Sequence, residues 1–506
     1  MFSSVRSPTS SALREIGALI VLSLGVSASA NAQQDNALDV AGDVTEYTFS
    51  QGFPTGDTAE GIYWNSDLRR AVEAYKTFLP TLATEAVIQQ MATAGAKPNE
   101  IGIVMAQGPK QQFAATNSDT PYSLTTLDLK QAGPMVIEMP PNQLLIGLVN
   151  DHNMRWITDT GSIGPEKGKG GKHLILPPDY EGDVPEGYYV SKSRTWRLVP
   201  AIRTVPLDGD VQKAIEAVHG IKVYPLSEAG EPVEHRYIDV TQKRLPLPLL
   251  DWEGTLEYWR QLHAIIQYEY PQPEYRYAMG ALAELGIEKG KPFDPSPERQ
   301  ELLRKAAKIA HAELSASLYA NRRPARIAWE DRQWESIPVG TMHLPTGDFG
   351  TASTIDLDAY DQYFFFGWGT SSAIGRQEVG GGSIYFTAFK DVSGRYLDGS
   401  KSYKMTIPGP VPADLFWSTT VYDAETRCLI ETPLDRAAVR SHLDRPKANS
   451  DGSYDIYFGP AAPAGMESNW VQTILGKGWF PMVRLYGPQK RAFGGSWKLT
   501  DIVELK

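Results

Sequence analysis

The chain has 506 residues, 49 Lys+Arg against 60 Asp+Glu for a net charge of −11, and one cysteine, Cys428. The acidic balance disfavours nucleic acid and anionic lipid as principal partners, and a single cysteine excludes an intrachain disulfide. The length allows two or three hydrophobic cores, and no stretch after the N-terminal one is apolar enough for a membrane span.

Arg6 and Arg14 flank the start of an apolar run at residues 16–26 (IGALIVLSLGV), and Ala30-Asn31-Ala32 supplies a small-x-small site. Together they predict a secretory signal cleaved after Ala32, hence a periplasmic or secreted protein. Residues 33–60 read as a polar leader. A helix is expected from a cap at Asn65 or Ser66, with Leu68, Ala71, Val72, Tyr75 and Leu79 on one face until Pro80 interrupts it. A second helical stretch should end near Ala94, before Gly95.

Between residues 124 and 202 the texture changes to short runs (LTTLDL, PMVIEM, LLIGLVN, RWITD, HLILP, GYYV, TWRLVPAI) separated by turn residues, which predicts an antiparallel β unit. Asp210 should cap a short helix that stops before Gly220. Residues 252–322 are helical, and the last helix opens with Ser296 as cap and Pro297 in its first turn. After Thr341 the chain is β-rich and aromatic, with runs such as SIYFTAF, SYKMTI, FWSTTVY, YDIYFG and MVRLYG. The expected fold is α+β, mainly β: two antiparallel β-sandwich or jelly-roll-like domains, residues 61–235 and 341–506, joined by a helical connector at 236–340.

G-x-S-x-G, H-E-x-x-H, C-x-x-C and the dinucleotide glycine fingerprint are all absent. The loop at residues 164–172 (GPEKGKGGK) lacks phosphate-loop spacing, although Lys172 and backbone N–H groups offer an anion site. The densest polar chemistry lies in Asn117-Ser118-Asp119-Thr120-Pro121-Tyr122 and in Asn150-Asp151-His152-Asn153-Met154-Arg155-Trp156. If these segments meet, His152 is the natural general acid or base, Asp119 or Asp151 orients it, and Tyr122 donates to developing negative charge. Asn117 and Arg155 would then hold substrate. Asn and Asp at strand ends also satisfy turn backbone, and Arg155 can simply pair with an acid. No cofactor is implied; a divalent metal on Asp119, Asp151 and His152 is a minor alternative, since neighbouring strand residues point to opposite faces. In the C-terminal half, Phe364, Trp368, Trp417, Tyr422, Trp470, Tyr486 and Trp497 offer rings for a ligand, with Asn469 and Arg484 as directional partners, although most rings must be core.

Two sets of stretches carry a family resemblance. NSDTPYSLTTLDL, GPMVIEMPPN, NDHNMRW, GKGGKHLILPP and EGYYV resemble DUF1254, a domain of unknown function. DVSGRYLDG, FWSTTVYD, NSDGSYDIYFG, Asn469-Trp470, VRLYGP and Trp497 resemble a second such domain, DUF1214. The resemblance implies two β-rich domains joined by helices, often exported, with no shared reaction or catalytic set. The residues themselves leave two functions open. One is a cofactor-independent hydrolase or lyase acting on a small or oligomeric organic substrate. The other is a non-catalytic envelope protein that binds a sugar or aromatic ligand or serves in assembly, where an oligomer is possible.

Overall fold

The computed structural model describes residues 47–506, apart from residues 107, 207, 208, 234, 338–341, 344–347, 352, 368, 376, 377 and 381. Residues 1–32, expected to be an export signal, leader residues 33–46 and Trp368 lie outside the described residues.

A short hairpin, Phe49–Ser50 against Phe53–Pro54, leads into one helix of 38 residues, Gly56–Thr93. The expected break at Pro80 does not occur. An interior proline removes one backbone donor and crowds the preceding turn. The acceptor left without its donor is Lys76 O, and the carbonyls on either side of it take extra bonds that brace the turn, Tyr258 donating to Tyr75 O at 2.6 Å and Tyr360 to Thr77 O at 3.0 Å. Burial of Phe78, Leu79, Leu82, Ala83 and Ala86 around the proline holds the helix through it.

The N-terminal β unit is two facing sheets. One runs in the order Arg236–Asp239, Ile101–Ala106, Pro121–Leu124, Arg197–Thr204, Leu145–Asp151, Trp156–Gly161, with Leu127–Asp128 also paired to Arg197–Thr204. The other runs Tyr189–Lys192, Gly171–Leu176, Met135–Met139, Lys222–Pro225. Pairing is mostly antiparallel, as the spacing predicts, but Tyr189–Lys192 lies parallel to its neighbour, and so does Arg236–Asp239. Val104, Val149, Leu198 and Ile202 of the larger sheet meet Met135, Ile137, Ile175 and Val223 of the smaller, with Ile215 and Val218 of the helix Val211–Val218 at their edge. Asp210 caps that helix through Lys213 N.

The C-terminal unit is again two sheets. The larger runs Glu335–Ser336, Ser383–Thr387, Trp479–Pro488, Ala413–Asp423, Ala438–Arg440, and the smaller Trp470–Gln472, Tyr454–Gly459, Tyr403–Ile407, Val503–Glu504. Strand alternation divides the larger sheet: Trp417, Val421, Val483 and Leu485 share a core with Met405, Ile407, Ile456 and Phe458. The helical stretch is more than a connector. Helices Leu256–Tyr268, Pro297–Tyr319 and Leu357–Phe366 pack with Gly56–Thr93, and their apolar faces are continuous with the C-terminal core. Ser296 caps the Pro297–Tyr319 helix through Arg299 N, with Pro297 at its start. Cys428 is buried, and burial pushes its thiol up to about 12. Among the described residues no helix is long and apolar enough to cross a membrane.

Candidate functional site

Each sandwich has an outer sheet face as well as an inner one, and the two outer faces meet. On the N-terminal side, Val199, Ala201 and Arg203 alternate along one strand. Arg203 pairs in register with Tyr122 on one neighbouring strand and with Ile146 on the other. On the C-terminal side, Arg484 pairs in register with Tyr385 and with Ser418, and Tyr486 with Ser383 and Phe416. Between these faces lies a cavity of about 250 Å³. The long helix contributes Ala83, Thr84 and Val87 to it, and Phe364 and Phe365 come from the helix Leu357–Phe366. That helix ends at Gly367, whose φ of +99° is a left-handed C-cap; a Cβ there would sit 2.7 Å from the Ala114 Cβ.

The wall is largely apolar; of its charged groups Asp151 is spent on Arg155 and Arg427 on Glu253, which leaves Arg203 and Arg484. Arg484, only 1 % exposed, is anchored by Nη2, which donates to Tyr422 Oη and, at 3.2 Å, to Thr116 O, while Tyr422 Oη donates to Thr116 O. Its Nη1 is buried without a hydrogen-bond partner. Burial opposes the guanidinium charge, but Tyr422, Tyr486 and Asp119 outweigh it and hold its pKa above the ordinary value. Arg203 lies 5.7 Å from the Tyr486 ring centre and beside the Tyr122 phenol, with no carboxylate ion pair among the described residues. Asp119 sits one layer behind this wall, where its Oδ2 accepts from Ser418 Oγ at 2.6 Å and Tyr486 Oη at 2.7 Å. Its Oδ1 is buried without a partner.

The hydrogen-bond pattern also fixes the Tyr122 proton. Asn117 Oδ1 accepts from the backbone N–H of Asp119 at 2.9 Å and of Thr120 at 3.2 Å, so its amide nitrogen must face the other way. Asn117 Nδ2 then donates to Tyr122 Oη at 3.0 Å, leaving the phenol O–H with no acceptor among the described residues. Arg484 Nη1 and the Tyr122 O–H are therefore unspent donors, and the Arg203 guanidinium, hydrogen-bonded to the Tyr122 oxygen, adds its positive charge beside them.

Residues 98–225 match the family described as a protein of unknown function, DUF1254, and residues 382–490 match a second such description, DUF1214. The chain thus carries a DUF1254 match followed by a DUF1214 match. One cavity arginine, Arg203, falls in the first matched segment and the other, Arg484, in the second. The chain is similar in fold to the VPA0106 protein from Vibrio parahaemolyticus, at 20% identity over 87% of this chain and 100% of that one, with a TM-score of 0.53. It also aligns with an uncharacterized protein from Burkholderia cenocepacia at 10% identity over 88% and 96% of the two chains, with a TM-score of 0.39. No curated protein matches the sequence.

Of the residues singled out from the sequence, the structure brings together Asn117, Asp119, Tyr122, Arg484 and Tyr486. His152 is not oriented by Asp119 or Asp151. It is fully buried, with Nδ1 2.8 Å from Glu269 and Nε2 3.2 Å from Glu85, and Arg197 contacts both acids. Asp151 accepts from Asn153 N and Arg155 N through Oδ1 and from Arg155 Nε through Oδ2 at 2.9 Å, which ties the turn at Met154, where φ is +57°. Arg155 is further occupied by Glu274 and Gln272. Asp119, Asp151 and His152 thus turn to different partners, and among the described residues no group of three or more His, Cys, Asp or Glu is placed to hold a metal ion.

Lys172 lies in the strand Gly171–Leu176, half exposed and 3.8 Å from Glu138, away from the cavity lining. Trp417 packs on Tyr454 inside the C-terminal core, and Trp470 donates its indole N–H to Gly459 O at 3.0 Å. Asn469 is a buried brace, bonded to Lys447 and to Asp455 O. Trp417 is structural because its strand face turns to the sandwich interior, and Trp470 and Asn469 because their polar groups are spent on backbone at the edge of the smaller sheet. Arg203 and Tyr385 were missed; the available signal was an arginine at the same strand parity as Val199 and Ala201.

Proposed function

We propose that the cavity between the two β units binds a small amphipathic organic anion, with the anionic group at Arg203, Arg484 Nη1 and Tyr122 and the apolar body against Val87, Phe364 and Phe365. The unpartnered Nη1 of a buried arginine carries this reading, because a buried donor left without an acceptor costs roughly 1–3 kcal/mol unless a ligand supplies one. With Asp151 paired to Arg155 and Arg427 to Glu253, the lining keeps two guanidiniums, Arg203 and Arg484, and only Arg484 has a carboxylate, Asp119, beside it, so a single further negative charge balances the cluster; His442 beside Asp119 stays neutral, its pKa lowered by burial. The volume falls just below the usual range for small-molecule sites, about 300–1,000 Å³, which favours a monocarboxylate with a compact apolar body over an oligosaccharide.

A hydrolase or lyase acting on such an anion is the second reading, favoured by the free Tyr122 proton. Tyr122 would protonate a leaving or carbonyl oxygen held by the arginines. Export through the N-terminal signal fits either reading, since neither calls on a nucleotide cofactor, and N-terminal sequencing of the purified protein tests for cleavage after Ala32.

Calorimetric titration with aromatic and aliphatic monocarboxylates, alongside their neutral amides, tests the binding. Acids should bind and amides should not, and Arg203→Gln should weaken acid binding roughly 10- to 100-fold, the loss of about 1.5–3 kcal/mol expected for a hydrogen bond to a charged group. Equal affinity for acid and amide would sink the proposal. Turnover of an ester or hydroxy acid that Tyr122→Phe abolishes while leaving binding intact would promote the catalytic reading.

A further inference from the structure

We infer that the Phe364 ring is the wall that sets how long a ligand the anion site accepts, an inference that rests on the proposed anion reading. A second cleft of about 280 Å³ lies beyond the first cavity, and among the described residues Phe364 is the one that lines both. The ring is only 2 % exposed and is held in place by its neighbours, 4.7 Å from the Tyr360 ring and 5.4 Å from Tyr363. Tyr360 is itself pinned by its hydroxyl to Thr77 O on the long helix. Phe364 is thus the one described side chain that faces both spaces, set on a braced helical turn, while the turn at residues 153–155 lies between them elsewhere.

The second cleft is suited to an apolar tail. Its three cations are already matched, Lys76 by Asp361 at 3.2 Å, Arg155 by Asp151 at 2.9 Å and by Glu274, and Arg194 by Asp151 at 4.0 Å, so no charge is left to call for a second anionic group. Tyr275, Tyr360, Ile355 and Leu357 supply its apolar lining. A ligand anchored at Arg203 and Arg484 must end at Phe364 while the ring is present. With the ring removed, the two spaces join and a longer tail extends between Tyr275 and Tyr360.

The test is a series of straight-chain saturated monocarboxylates, from four to sixteen carbons, titrated into the wild-type protein, Phe364→Leu and Phe364→Ala. Wild-type affinity should rise with length and then fall at a cut-off, by about 10-fold or more for the first acid too long. Both variants should move the cut-off to longer acids, whatever affinity the shorter acids lose with the ring contact, so the readout is the position of the cut-off. Phe364→Leu retains most of the apolar contact and carries the test if Phe364→Ala does not fold, as judged by circular dichroism. Arg203-dependent binding with the same cut-off in all three proteins overturns the partition and leaves the anion site standing. Failure of the wild type to prefer acids over amides overturns both.

Discussion

The imidazole of His152 is held on both nitrogens by carboxylates, Glu269 and Glu85, and these two acids share Arg197, so two negative and two positive groups neutralise one another in a buried cluster. Removing one member leaves an uncompensated charge away from water, which costs about 3–5 kcal/mol. His152→Ala should therefore lower unfolding free energy by that amount in urea titrations, with carboxylate affinity of the folded fraction unchanged. A fully stable variant that has lost binding would return His152 to the site. Lys172→Ala, on an exposed strand position, should stay within about 0.5 kcal/mol of wild type. At this scale the NSDTPY segment was legible because dense short polar side chains before a strand have to satisfy one another or a ligand. His152 and Arg155 misled because their partners, Glu85, Glu269 and Glu274, come from helices 67 to 119 residues away in sequence, and no local pattern announces such a meeting.

Elements were more readable than contacts. Strand runs and caps at Asp210 and Ser296 follow from periodicity and from side chains that bond helix N–H groups, both local properties. Pro80 shows where locality ends: the propensity for a break is real, and it is overruled by burial on two sides, with phenols from Tyr258 and Tyr360 bracing the carbonyls next to the orphaned one. Tyr258→Phe keeps the ring stacked on Tyr75, at 3.7 Å between centres, and removes only the hydroxyl donated to Tyr75 O. The loss should be about 1–2 kcal/mol by chemical denaturation, because the carbonyl is buried and water has no route to replace the donor. A negligible change would mean that the helix tolerates Pro80 through packing alone. The C-terminal rings follow the same logic of faces: Trp417 falls to the core side, whereas Tyr385, Phe364 and Phe365 fall to the cavity, a division set by sheet stacking that strand alternation alone does not assign.

At the scale of the molecule, the His152 cluster joins three layers: Glu85 comes from the long helix, His152 and Arg197 from the larger N-terminal sheet, and Glu269 from the end of the helix Leu256–Tyr268. Its protonation should therefore show in the stability of the whole fold. Burial raises the Glu85 carboxyl, but the hydrogen bond and charge of His152, with Arg197, outweigh it and bring it down to about 2 from an ordinary 4.5. Stabilisation from a depressed acid is complete above its unfolded value and is lost as pH falls from about 4.5 toward 2. His152 runs the opposite way: burial lowers it, but Glu269 and Glu85 carry it above its ordinary 6.5. Its contribution is complete below 6.5 and is lost as pH rises through the elevated value. The melting temperature should thus plateau between about 4.5 and 6.5 and decline on both sides. His152→Gln should flatten the alkaline limb, since the titrating group is gone, and reduce the acid limb, since Glu85 loses its largest favourable partner. An alkaline limb that survives the substitution unchanged would assign the titration to another group and separate this cluster from the cohesion of the layers.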